Sequence, residues 1–205
     1  MTPPAIHAVK VGGSLLDLPD LPARLMRLFE ALAPSHVAIV VGGGRAADLV
    51  RAFDTAHHLD ETTGHWLAVR AMQLNTHMLI TQLPDAQLVY DDDACRDAWA
   101  AGKLAVVDPM TWVADVPHRW TFTSDSIAAH VATRLKACHL TLLKSTLPKG
   151  DCGVACAAGL GIVDEDFEMA SRDVPHIELV NLRAQPLAEG ESPWRPTSCT
   201  LKDEL

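Results

Sequence analysis

The sequence predicts an α/β protein whose central sheet is mainly parallel and covered by helices on both faces. Three observations carry that expectation. Short apolar, partly β-branched runs recur along the chain, and each stops at glycine or at a polar turn. Stretches with apolar residues at helical spacing lie between them. Strand and helix therefore alternate, which is the pattern of a parallel sheet built from crossover units.

Taken in order, Ala5–Val11 reads as a buried strand running into the turn Gly12-Gly13-Ser14. A helix follows over Leu21–Leu32, with Leu21, Leu25, Leu28, Phe29 and Leu32 on one side and Pro34 as its stop. His36–Val41 is a second buried strand, closed by Gly42-Gly43-Gly44. Helical spacing resumes over Arg45–Thr55 and again over Thr63–Gln82. A weaker helix is expected at Ala94–Ala101, and a short strand at Ala105-Val106-Val107, broken by Asp108-Pro109. Thr123-Ser124-Asp125 opens a helix that runs to Leu135, with Ser or Thr available as its cap. Leu140–Leu143 is a further strand ending at Lys144-Ser145, and a last strand is expected at Ile177–Asn181. The stretch Pro148–Gly161 is loosened by Pro and Gly, but no linker divides the chain, so one domain over residues 1–205 is expected.

The chain has 205 residues, 48% of them hydrophobic and 21% charged, which suits a globular protein with a real core. A net charge of −9 argues against a nucleic-acid partner, although local cations and backbone N–H groups could still hold a small anion. No apolar run reaches the roughly 18 residues a membrane helix needs. The first residues lack a signal-peptide layout, and a cytoplasmic protein is expected. The terminal Lys202-Asp203-Glu204-Leu205 spells an ER-retention signal, read here as coincidence because no leader precedes it. The five cysteines fit no zinc framework and are expected as reduced thiols, the Cys152/Cys156 pair included. No metal ligands are expected.

Four short constellations carry chemistry. In the first, Lys10 precedes Gly12-Gly13-Ser14 at a strand end. Glycines let backbone N–H groups approach a phosphate, and the lysine adds a positive charge. The second is Gly42-Gly43-Gly44-Arg45, where a helix N-terminus would follow and face an anion. In the third, Asp125 sits in the first turn of a helix, where it could be a plain cap or could hold two cations. The fourth is Lys144-Ser145, a strand-end lysine within reach of a phosphate or simply solvated. Taken singly, each is an ordinary structural feature. Neither glycine loop fits the Rossmann fingerprint, and no P-loop motif stands in the chain.

Together, and in this order, these pieces resemble the amino acid kinase superfamily, which includes acetylglutamate, uridylate and isopentenyl phosphate kinases. The matching segments are Val9–Ser14, Val41–Gly44, Thr123–Asp125 and Leu142–Ser145, across about residues 5 to 180. The resemblance implies a three-layer αβα sandwich, homo-oligomers, and ATP with Mg²⁺ as cofactors. It also implies that Lys10 and Gly12-Gly13 meet the transferring phosphoryl and that Asp125 organises the active-site lysines. Gly42-Gly43-Gly44 would line the acceptor side. The segments Val41–Arg51 and His65–Met72 are most similar to a small branch of methanofuran biosynthesis. That branch phosphorylates aminomethyl-furanmethyl phosphate.

One departure stands out: larger members carry a late Gly-Gly-Met-x-x-Lys segment that this chain lacks. Lys144 is the first candidate for the replacement cation and Lys149 the next. Nucleotide contacts are expected from Gly12, Gly13, Ser14, Lys144, Ser145 and Lys149. Acceptor contacts are expected from Gly42, Gly43, Gly44, Arg45, Asp48 and His65, with Arg51 as a second grip. The expected reaction is in-line attack of an acceptor phosphate on the γ-phosphorus of ATP, driven by positioning and electrostatics. A kinase of another acceptor and a non-catalytic nucleotide binder on the same fold stay open.

Overall fold

The computed structural model describes residues 4–147, 152–184 and 198–201. Seven strands form one sheet: β1 (Ile6–Val11), β2 (His36–Val41), β3 (Ala86–Val89), β4 (Leu104–Val107), β5 (His139–Lys144), β6 (His176–Asn181) and β7 (Ser198–Thr200). Their order across the sheet is β3-β4-β2-β1-β5-β6-β7, and every pairing is parallel except β6 with β7. The α-helices among the described residues are α1 (Leu21–Leu32), α2 (Gly44–His57), α3 (Glu61–Ile80), α4 (Asp92–Ala100), α5 (Pro109–Trp112), α6 (Ser124–Arg134), α7 (Val154–Gly159) and α8 (Phe167–Ser171).

The strand period of two sorts the core into two layers. Ala8, Ala38, Val40, Leu140 and Leu142 face the cluster that includes Val69 and Met72 of α3 and Ile127 and Val131 of α6. Val9, Val11, Ile39, Val41 and Leu143 face the other cluster, under Leu21, Leu25, Leu28 and Phe29 of α1. Strands buried on both faces read as unbroken apolar runs, which is why β1, β2 and β5 were legible. The predicted parallel sheet, covered on both faces, is the observed architecture.

Four features depart from the expectations. β3 is a short strand with only partly buried residues until Val89, so it carries too little apolar pattern to announce itself. β7 adds an antiparallel edge strand of three residues. Thr123 stands at the N-cap of α6 but its side chain makes no cap bond, because a carboxylate from a distant segment takes that place. Cys152 and Cys156 are joined as a disulfide rather than left as thiols, since the first turn of α7 brings their Cα atoms to 5.5 Å. Among the described residues, no helix is long and apolar enough to cross a membrane.

Candidate active site

All the charged residues picked from the strand ends meet at the C-terminal edge of the sheet. Lys10 faces the same side as Ala8, and Lys144 the same side as Leu142, with which Lys10 is in register. Both lysines therefore project toward the start of α6. There Asp125 receives them: Lys10 Nζ stands 2.9 Å from Oδ1, and Lys144 Nζ lies 2.8 Å from each carboxylate oxygen. Lys144 also donates to the Ile162 carbonyl at 2.6 Å. Lys10 and Asp125 are buried, at 4% and 5% exposure, so this is a desolvated ionic cluster rather than a surface pair.

Its charge balance is uneven. Burial would raise the Asp125 pKa, but the two lysines outweigh it and hold the carboxyl below its usual range. Burial and the like charge of Lys10 pull Lys144 down to about 8, against the support of Asp125. Two cations share the Asp125 carboxylate at the sheet edge, and Asp164 supports Lys144 from further off. A small anion is the kind of ligand that two such fixed cations favour.

The glycine loops lie beside the cluster, and tertiary contact explains part of their composition. A Cβ on Gly13 would sit 2.1 Å from the Gly44 nitrogen, and Gly44 has a φ of +46°. The two loops thus pack backbone on backbone, where no side chain fits. Buried Asn75 of α3 fixes the second loop, donating to the carbonyls of Gly42 and Gly43 at 2.7 Å each. Ser14 and Ser145 touch through their hydroxyls at 3.1 Å, bringing the ends of β1 and β5 together. Arg183 clamps the turn after β1 through the Ser14 carbonyl and Asp17.

A cavity of about 90 Å³ opens on one side of the glycine contact, with Gly43 and Gly44 at one end and His65 and Trp120 among its walls. Arg51 contributes too, its guanidinium 5.8 Å from the centre of the Trp120 ring. Arg45 and Asp48 do not reach it. They line an adjoining groove with Asp17 and Arg183, which shares Gly13 and Gly44 with the cavity, because the turn of α2 carries them outward. Arg45 is 92% exposed at its side chain, and Asp48 pairs with Arg51 at 2.7 Å. Lys149 lies outside the described residues. No group of three or more His, Cys, Asp or Glu side chains among the described residues is arranged to hold a metal ion. The Gly12-Gly13 turn, Lys10 and Lys144 are the residues that would hold the oxygens of a phosphate group.

Several positioning residues were not singled out from sequence. Asp164 accepts from the Thr123 and Ser126 backbone N–H groups, both at 3.1 Å, and from both their hydroxyls, so it caps α6 from a distance. Burial, with Asp125 nearby, raises its pKa. Asp166 pairs with Arg119 and takes a hydrogen bond from Thr121 at 2.7 Å. The acidic segment thus staples the loop before α6 to the body of the site. The signal was a buried-pattern oddity: two carboxylates beside apolar Val163 and Phe167, and an Asn on the apolar side of α3.

A sequence profile of the amino acid kinase family matches residues 6–146. The [5-(aminomethyl)furan-3-yl]methyl phosphate kinase of Methanocaldococcus jannaschii is 26% identical over 137 residues, 63% of this chain. That match spans 61% of the relative's own length. Among solved structures, the uridylate kinase of Archaeoglobus fulgidus superposes with a TM-score of 0.61 at 19% identity, covering 83% of this chain and 88% of that one. The UMP kinase of Ureaplasma parvum gives 0.65 at 13% identity, covering 86% and 89%. These likenesses share the fold described above, and the profile match spans the three segments that build the cluster. The chain belongs to the amino acid kinase family, a family of phosphotransferases.

Proposed function

We propose that this protein transfers the γ-phosphoryl group of ATP to a small phosphate-bearing acceptor, with 5-(aminomethyl)-3-furanmethanol phosphate as the leading candidate. The observation that carries the reading is the Lys10–Asp125–Lys144 cluster at the mouth of the glycine loops. ATP supplies the phosphoryl group, and Mg²⁺ on its oxygens offsets charge. Lys10 and Lys144, held by Asp125, present fixed positive charge where negative charge spreads in the transition state. Lys144 takes the place of the absent late lysine, reaching Asp125 from β5. An acceptor phosphate is already ionised, so the chain need only orient it, with Arg51 at the pocket wall as a grip.

The acceptor candidate rests on the Methanocaldococcus relative. Homo-oligomerisation belongs to the same proposal. Leu49 and Phe53 of α2 and Leu74 and Met78 of α3 are all about half exposed or more, and Ala47 is the one buried residue among those of α2. Light scattering on wild type and on Phe53→Glu tests that face: a monomeric wild type overturns it.

The reaction is tested by phosphorus NMR with Mg·ATP and four acceptors: aminomethyl-furanmethyl phosphate, isopentenyl phosphate, UMP and acetylglutamate. A new diphosphate signal with the furan alone supports the full reading. Transfer to a different acceptor keeps the reaction and discards the substrate. Binding of ATP with transfer to none favours a nucleotide-binding protein instead.

A further inference from the structure

Two arginines from separate segments line the cavity beside the glycine loops. Arg51 comes from α2, and Arg119 from the loop before α6. They are the charged side chains of the lining, and no carboxylate of the described residues stands with them. Their partners lie outside it: Asp48 meets Arg51 at 2.7 Å, and Asp166 takes Nε and Nη2 of Arg119. Glu61 also acts on Arg119 from outside the lining. The remaining titratable group of the wall, His65, is 2% exposed, and burial favours its neutral form. The cavity therefore presents positive charge to its contents, with the negative charge set back.

Both guanidiniums are within reach of a ligand. The Arg51 side chain is 52% exposed and that of Arg119 42%. Each is also held in place. The Arg51 guanidinium lies over the Trp120 ring, 5.8 Å from its centre. The Trp120 indole in turn packs on Gly64 so tightly that a Cβ there would come within 2.7 Å of it. Asp166, itself buried and fixed by Thr121 at 2.7 Å, grips one edge of Arg119. Nη1 of Arg119 is left without a hydrogen bond among the described residues. A guanidinium carries five N–H donors, so a carboxylate on one edge leaves donors on the others. Arginines held in this way lose little side-chain freedom when an anion arrives.

We propose that Arg119 is a specificity-determining residue for the acceptor, donating with Arg51 to the non-reacting oxygens of its phosphate. Trp120 and Asp166 are positioning residues that fix the two guanidiniums. The ligand class is a small monophosphate, selected over the neutral alcohol of the same shape. Two fixed cations offset the desolvation of a phosphate, whereas a hydroxyl leaves both of them unpaired. This deepens the reading of the acceptor pocket given above and rests on it.

The first test needs no turnover. Calorimetric titration of the full chain, without nucleotide, compares aminomethyl-furanmethyl phosphate, isopentenyl phosphate and UMP, each beside its phosphate-free alcohol. Wild type is expected to bind at least one of these phosphates tenfold or more tighter than its alcohol. Arg119→Gln, which can still donate to Asp166, is expected to weaken that phosphate by about 10- to 100-fold and to leave the alcohol unchanged. Arg51→Ala should lower the same preference, and Arg119→Lys should restore part of it. No preference for any phosphate in wild type, or a preference that survives in Arg119→Gln, overturns the proposal. The second test is steady-state kinetics. Arg119→Gln should raise the acceptor KM and spare that of ATP; equal rises in both would mark a mere staple of the loop and overturn the proposal. If phosphate binding depends on Arg119 but no probe is phosphorylated, the inference stands and the proposed reaction falls. Phosphoryl transfer with an unchanged acceptor KM in Arg119→Gln does the reverse.

Discussion

The same strands carry ionisable groups at both ends, and the two ends treat them in opposite ways. At the C-terminal edge, β1 and β5 present Lys10 and Lys144, which pair with Asp125. At the N-terminal edge, β1, β5 and β6 present His7, His139 and His176 in register. Their rings stack at 5.2 Å and 4.8 Å, and His7 Nε2 meets Thr141 Oγ1 at 2.8 Å. Burial, with His139 alongside, lowers the His7 pKa to about 4, and burial with His176 alongside lowers that of His139. One end pairs its cations with a carboxylate, and at the other burial favours the neutral rings of His7 and His139. Burial alone therefore does not mark a catalytic group.

The sharpest way to break the charged end is to remove its cations. Lys10→Ala and Lys144→Ala are each expected to cut kcat by about 10²–10³-fold, measured by single-turnover phosphoryl transfer, with the circular dichroism spectrum retained. Asp125→Ala would instead leave two lysines unneutralised, and a thermal melt should show destabilisation of about 3–5 kcal/mol. Unchanged turnover in Lys144→Ala would remove it from the reaction.

A pH profile sharpens the same comparison. In the proposed mechanism Lys144 acts as a cation, and burial with Lys10 alongside lowers its pKa to about 8, so kcat/KM should fall tenfold per pH unit above about 8. In Lys144→Arg the high-pH limb should vanish, because guanidinium stays charged. The limb is expected to persist in His7→Leu/Thr141→Val.

The histidine end responds to acid. Its folded-state pKa lies below the unfolded value of 6.5, so the unfolded chain binds more protons between about 6.5 and about 4. Stability is therefore lost as pH falls through that window, by an amount on the order of 1–3 kcal/mol. Denaturant titrations at both limits should show the loss in wild type and a flatter dependence in His7→Leu/Thr141→Val, with little effect on transfer at neutral pH.

The smallest expected effect falls on Asp164. Asp164→Asn weakens the distant cap of α6, at a cost of about 1 kcal/mol, and removes a negative charge that supports Lys144. A few-fold drop in kcat should accompany a downward shift of the high-pH limb, which a merely structural cap would not move.

The sequence by itself determined the parallel sheet and the β1, β2 and β5 strand ends, and it singled out Lys10, Asp125 and Lys144, which the structure brings into contact. Those readings rest on local pattern: buried strands run apolar, they stop at glycine, and a lysine in such a run is conspicuous. Only the tertiary structure decided which neighbours those residues have. Lys144 becomes the second cation because strand parity puts it on the Lys10 side, two residues past the register mate of Lys10. Arg45 and Asp48 leave the pocket because helix phase turns them outward, and Arg119, Trp120 and Asp164 enter the site from segments far along the chain. Gly13 and Gly44 looked like a phosphate cradle, and they are also a place where two loop backbones pack against each other. Spacing along a chain records periodicity, whereas a site is made by contacts between distant segments, and these are fixed only when the sheet closes.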